Sequence, residues 1–207
     1  MKRLIIATLL SIASLSAHAG EQVRSVAPFK AIEVRGPVSL VVEVGKSPSV
    51  RVQGDQKYID RVTTEVVDGE LRLNFKEKSN IQIDDDDRVV VTVPELSSFR
   101  GEGAGLVKLN NVRGERFDVN YRGAGSLQMN GQVRTLRIQA QGVGEVDARH
   151  LVAQDADVSF EGIGSVDVHA RNRLNASVQG MGSLTYHGNP RTVNKAVSGI
   201  GSVVAAK

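Results

Sequence analysis

Cysteine and tryptophan are absent from the 207-residue chain. Without cysteine there is no disulfide framework and no thiolate nucleophile, so stability has to come from packing alone. Five Phe and three Tyr are the only aromatics, too few for a sugar-stacking platform once the core has taken its share. Excess charge of one sign is also missing. The formal net charge is +3, and it falls to +1 if Lys2 and Arg3 are removed with a leader. A nearly neutral chain is a poor nucleic-acid binder, because phosphate affinity is mostly electrostatic. No stretch reaches the roughly 20 apolar residues that a membrane span requires. The glycine-rich stretch Gly101-Glu102-Gly103-Ala104-Gly105 lacks a following Gly-Lys-Ser/Thr and opens no helical pattern. It therefore fails the templates for a phosphate loop or a dinucleotide site.

The first apolar segment, residues 4–15, follows Lys2 and Arg3 and precedes Ala17-His18-Ala19. A basic start, a short apolar run and a small-x-small motif together make an export signal, residues 1–19, with cleavage before Gly20. Residues 20–207 then form a single domain. The expected location is the periplasm, the cell surface or the medium.

What dominates the remainder is a repeat. Gly-x-Gly triplets begin at Gly103, Gly123, Gly142, Gly162, Gly180 and Gly199, at spacings of 20, 19, 20, 18 and 19. Aligning the copies gives an apolar column, Val107, Leu127, Val146, Val166, Leu184 and Val203, with a second one two residues further on. Polar residues stand between them. The alternation is that of a half-buried strand. A second alternating strand precedes each triplet, as in Phe117-x-Val119-x-Tyr121. Each repeat thus reads as strand, glycine corner, strand and polar turn. The expected architecture is all-β: a right-handed parallel β-helix with turns of roughly 19 residues. Residues 101–207 form its repeats, and residues 20–100 an irregular capping half. The apolar residue inside each triplet is expected to plug the core at the corner. In the capping half, Asp55 is placed as the cap of a short helix over residues 56–62, and Asp68-Gly69 as a tight hairpin turn.

Several segments carry a family likeness: Phe29-Lys30-Ala31-Ile32-Glu33-Val34, Ser49-Val50-Arg51-Val52-Gln53-Gly54-Asp55, Gly69-Glu70-Leu71-Arg72-Leu73, Val91-Thr92-Val93-Pro94-Glu95-Leu96, and the glycine triplets. Through them the chain resembles the head GIN domain family of exported bacterial adhesin-like proteins. The resemblance covers essentially the whole mature chain and implies a right-handed parallel β-helix. Its motifs are architectural, so it implies no catalytic residue and no cofactor.

Register places Asp147, Asp167, His169 and His187 on one exposed strip. Asp and His at strand spacing can hold a transition metal or supply a general base, although an ordinary polar face fits the same pattern. Asp84-Asp85-Asp86-Asp87 has calcium-like charge. Four consecutive carboxylates cannot converge on one ion, however, and a solvated turn is the simpler expectation. No catalytic or cofactor-binding residue is assigned. The sequence favours a non-enzymatic envelope or surface binding module, with a protein or glycan as partner. The alternative is a polysaccharide-binding or polysaccharide-degrading protein that uses the acidic strip. The last repeat is half built, so an open C-terminal edge is expected to invite a homodimer.

Overall fold

A computed structural model of the chain describes residues 20–76, 84 and 86–206. The expected export signal, residues 1–19, lies outside the described residues, as does Asp85. In chain order the elements are β1 (Gly20–Arg24), β2 (Ala31–Arg35), β3 (Leu40–Val44), β4 (Ser49–Gly54), α1 (Gln56–Arg61), β5 (Val62–Val67), β6 (Glu70–Phe75), β7 (Arg88–Val93), β8 (Ser98–His187), β9 (Thr192–Gly199) and β10 (Ser202–Ala205).

The local signals in the first half work as the residues dictate. Asp55 accepts the backbone N–H of Tyr58 at 2.6 Å, capping α1. The helix stops where Val62 turns extended, and Tyr58 and Ile59 are buried beneath it. Asp68 and Gly69 both take positive φ, 51° and 78°. This closes the antiparallel β5–β6 hairpin with Val67 opposite Glu70.

β8 carries all but the last of the glycine triplets in one 90-residue strand. Successive passes lie on one another in the register of the sequence columns. Asn130 donates to Asn110 at 2.7 Å, and Gln141 donates to Glu161 at 3.0 Å. The apolar columns face inward: Leu109, Leu127, Val166 and Leu184 are fully buried. Each such side chain contributes roughly 1.5–3 kcal/mol before chain entropy is counted. The same cluster continues through β2, β3, β6 and β7, so both halves share one core. At their junction Glu33 of β2 is 4% exposed. It lies 2.9 Å from Arg35, and 3.7 Å from both Arg72 of β6 and Arg100 of β8.

The expectation of a right-handed parallel β-helix is not met. The strands form one nearly closed, barrel-shaped sheet in the order β1-β4-β7-β3-β8-β2-β6-β5, with β9 and β10 on β8. Pairing is mixed. β3 and β2 join β8 in parallel, but β4 runs antiparallel to both β1 and β7, and β5 antiparallel to β6. The physical reason lies in the first half. A tight turn at Asp68-Gly69 makes β5 and β6 antiparallel neighbours, while β4 enters between β1 and β7 from far along the chain and runs against both. These strands extend the sheet of the repeats rather than forming a separate cap.

The corner residues also differ from expectation. Val143, Ile163 and Met181 are 55%, 48% and 54% exposed, and Ile200 is 82% exposed. They point outward and plug nothing. Space inside the corner is already taken by backbone. A Cβ built on Gly162 would sit 2.9 Å from the carbonyl carbon of Gly142 and closer still to its oxygen. Gly162 itself has φ 145°, a conformation other residues rarely adopt. Gly162→Val should therefore lose about 1–3 kcal/mol from backbone strain alone. Ile163→Ser, one residue away and outward, should stay within about 0.5 kcal/mol in dilute solution. Urea unfolding of the two variants checks this, and equal midpoints would contradict the corner geometry.

Candidate functional site

The strip expected from register is assembled, but its members are occupied with one another. Asp167 accepts from His187 Nε2 at 3.2 Å and lies 3.5 Å from an Arg149 guanidinium nitrogen. Arg149 in turn donates through Nε to Asp147 at 2.9 Å. That hydrogen bond, with the charges of Asp147 and Asp167, holds the guanidinium above its ordinary pKa. His169 donates from Nδ1 to the carbonyl of Arg149 at 3.2 Å. Its other nitrogen faces the turn at Gly188, where an added Cβ would lie 2.7 Å away. The His169 and His187 rings lie 6.4 Å apart, inclined by 27°. The strip is half-buried rather than exposed, with the Asp147 and Asp167 side chains 19% and 16% accessible.

Arg149 is the member that sequence reasoning left out. It stands in the same column as His169 and His187, and that column was the signal that could have found it. With the guanidinium between the two carboxylates, the strip resembles a structural ion-pair network more than a metal cradle. Among the described residues no three His, Cys, Asp or Glu side chains come together to hold a metal ion.

Asp87, of the aspartate run, is 4% exposed and closes a turn. It accepts the backbone N–H of Asp84 at 3.1 Å and that of Asp55 at 3.4 Å. Burial, with the Asp87 carboxylate nearby, pushes the Tyr58 hydroxyl pKa up. The turn therefore ties α1 to β7.

A groove of about 340 Å³ crosses the outer face of β8 and β9. Its floor is Ser159, Ser177 and Ala196; Asp157, Asn175 and Asn194 form a rail. Asn175 donates to Asp157 at 2.5 Å, and Asn194 donates to Asn175 at 2.8 Å. An amide carries two donor hydrogens and a carboxylate two acceptor oxygens, so each rail residue keeps bonding capacity after the ladder is made. This site was missed in the sequence. Its signal is a polar column on the strand before each triplet, at spacings of 18 and 19.

A family model described as "Putative auto-transporter adhesin, head GIN domain" matches residues 28–190. A crystal structure of a "putative adhesin" from Bacteroides fragilis superposes with a TM-score of 0.67 at 19% identity, covering 92% of this chain and 98% of that one. A "putative lipid binding protein" from Parabacteroides distasonis gives a TM-score of 0.46 at 20% identity, covering 92% and 97%. A "putative cell adhesion protein" from Clostridium sporogenes gives 0.34 at 12%, covering 90% and 98%. At 19% identity the Bacteroides likeness is one of fold alone. No curated protein matches the sequence.

The strip's chemistry is testable. Asp167→Ala should cost about 0.2–1 kcal/mol, the range of a partly exposed ion pair. Equilibrium dialysis against zinc should show negligible uptake by both the wild type and His169→Ala. Stoichiometric zinc in the wild type that vanishes in the variant would overturn the structural reading.

Proposed function

The chain belongs to the head GIN domain family, and from that premise we propose that it is an exported, non-enzymatic binding module of the cell envelope or surface. No helix among the described residues is long and apolar enough to cross a membrane, in keeping with that role. The observation that carries the reading is the groove along Asp157, Asn175 and Asn194. It is a continuous row of hydrogen-bonding groups on a rigid sheet, with a floor of small side chains. Such a row suits a hydroxyl-rich polymer, so a glycan chain is the preferred partner over an apolar peptide. Among the described residues the groove is lined by no aromatic ring, so affinity comes from amide and carboxylate contacts. Weak individual sites that add along a polymer are what an adhesive surface needs.

A polysaccharide-degrading role through Asp147 and Asp167 is the competing reading. It is disfavoured because both carboxylates are committed to Arg149. A glycan array with the mature protein, joined to a hydrolase and lyase screen, separates the two. Binding without turnover is expected, and Ser177→Phe, which fills the groove from an exposed position, should weaken it at least about tenfold. Turnover abolished by Asp167→Asn would replace this function with the enzymatic one.

A further inference from the structure

The outward corner residues form a ladder of Ala104, Ala124, Val143, Ile163, Met181 and Ile200. Stacking of the glycines fixes their order: Gly142 lies on Gly123, Gly162 on Gly142, Gly180 on Gly162 and Gly199 on Gly180. At a strand spacing of ~4.8 Å, six rungs make a ridge about 24 Å long. Leu106 beside the first rung is 40% exposed. A contiguous apolar ridge of this kind on a soluble surface marks an interaction site.

Size along the ladder is graded, small at Ala104 and large at Ile200. We infer that the ridge pairs with the ridge of a second copy of this chain, antiparallel, about a twofold axis lying between the third and fourth rungs. That arrangement sets Ala104 against Ile200 of the second copy, Ala124 against Met181, and Val143 against Ile163. Every rung pair then joins a smaller side chain to a larger one, which fills the contact evenly. A parallel arrangement would instead put Ala on Ala at one end and Ile on Ile at the other, leaving a wedge.

Charge supports the same pairing. One flank of the ridge carries Glu102, Arg122, Gln141, Glu161, Gln179 and Ser198, all exposed. The twofold axis lies in the contact plane across the ladder, so this flank meets itself reversed. Gln141 then faces Glu161 of the second copy, and Arg122 stands one rung away from that same Glu161. Arg122 makes no ion pair among the described residues of its own chain. On the other flank Glu145 is next to the axis; Arg149, at 4.0 Å, offsets its charge. Closed twofold contacts are self-complementary in just this residue-to-residue sense.

The alternative contact is the free edge of β9, which pairs only with β8 among the described residues. It is blunted. Lys195 stands in register opposite the buried Ala176 but is itself exposed. Its ammonium donates to the Val203 carbonyl at 3.0 Å and lies 4.8 Å over the Tyr186 ring. A lysine on an edge strand is a known block to strand addition.

Six rungs and their flanks make a contact at the small end of specific interfaces, so association at tens of micromolar is expected. Sedimentation equilibrium of the mature protein, from about 1 to 200 μM, reads it directly. Wild type should pass from monomer to dimer across this range, and Ile163→Asp should stay monomeric with an unchanged far-UV β spectrum. Arg122→Glu and Glu161→Arg should each weaken the dimer severalfold, and the double variant should restore it. A monomeric wild type at 200 μM overturns the inference, as does a charge-swapped pair that stays weak. A dimer that survives Ile163→Asp but is lost in Val204→Lys also overturns it, and moves the contact to β10, which like β9 pairs only with β8 among the described residues. The groove adjoins the ridge flank at Ser159 and Ser177 but reaches its far rail at Asn194, so Asn194→Ala should dimerise as wild type does whatever its glycan binding.

Discussion

The close approach of one glycine corner to the next is the constraint on which this molecule depends. In the middle of β8, the volume a Cβ would occupy is filled by the carbonyl group of the glycine one pass earlier. That contact brings successive passes to strand spacing at the corner and fixes their relative position along the chain. With register set there, the apolar columns fall on one another inside and the polar columns outside, and a slip of one residue would exchange the two. The buried columns, the Asn and Gln ladders and the outward rungs all follow from where the backbone can come close. The hydrophobic core supplies most of the free energy, but the glycines decide which residues share it.

Much of this is legible from the residues. The period, the inward columns, the Asp55 cap and the Asp68-Gly69 turn are local or strictly repetitive signals, and such signals survive folding. Two features are not of that kind. Closure of the sheet depends on β4 entering between β1 and β7, strands far apart in sequence, and no periodicity encodes that insertion. The direction of the corner residues fails for a different reason. Period-two alternation runs unbroken through the corner: Phe160 and Val166 lie inside on either side of Gly162 and Gly164, while Glu161, Ile163 and Ser165 fall on the outer side. Register therefore sets Ile163 outside, and only its apolarity suggested the inside.

The candidate site shows the same division. Register alone brings Asp167, His169 and His187 together. What those groups do is decided by Arg149, which lies in their own column and neutralises the carboxylates. Hydrogen bonds take up the imidazole Nδ1 of His169 and Nε2 of His187, so the strip reinforces the sheet more than it offers a reactive centre. The proposed function rests on the surfaces that the repeat generates by copying: a polar rail on one face and an apolar ridge at the corner. Both are products of the same period, and neither needs a residue that is chemically unusual.

Lys195 sets a boundary on that copying. Every pass of β8 presents the next with a ready-made template, and a template that accepts one strand can accept another indefinitely. By putting a cation where the columns call for an apolar side chain, β9 makes itself a poor mould for any further layer. The stack is thereby given a definite height, and the same device keeps a folded molecule from seeding a fibre with its neighbours. One ammonium group, held by the Val203 carbonyl and the Tyr186 ring, closes the end of the repeat to further strands.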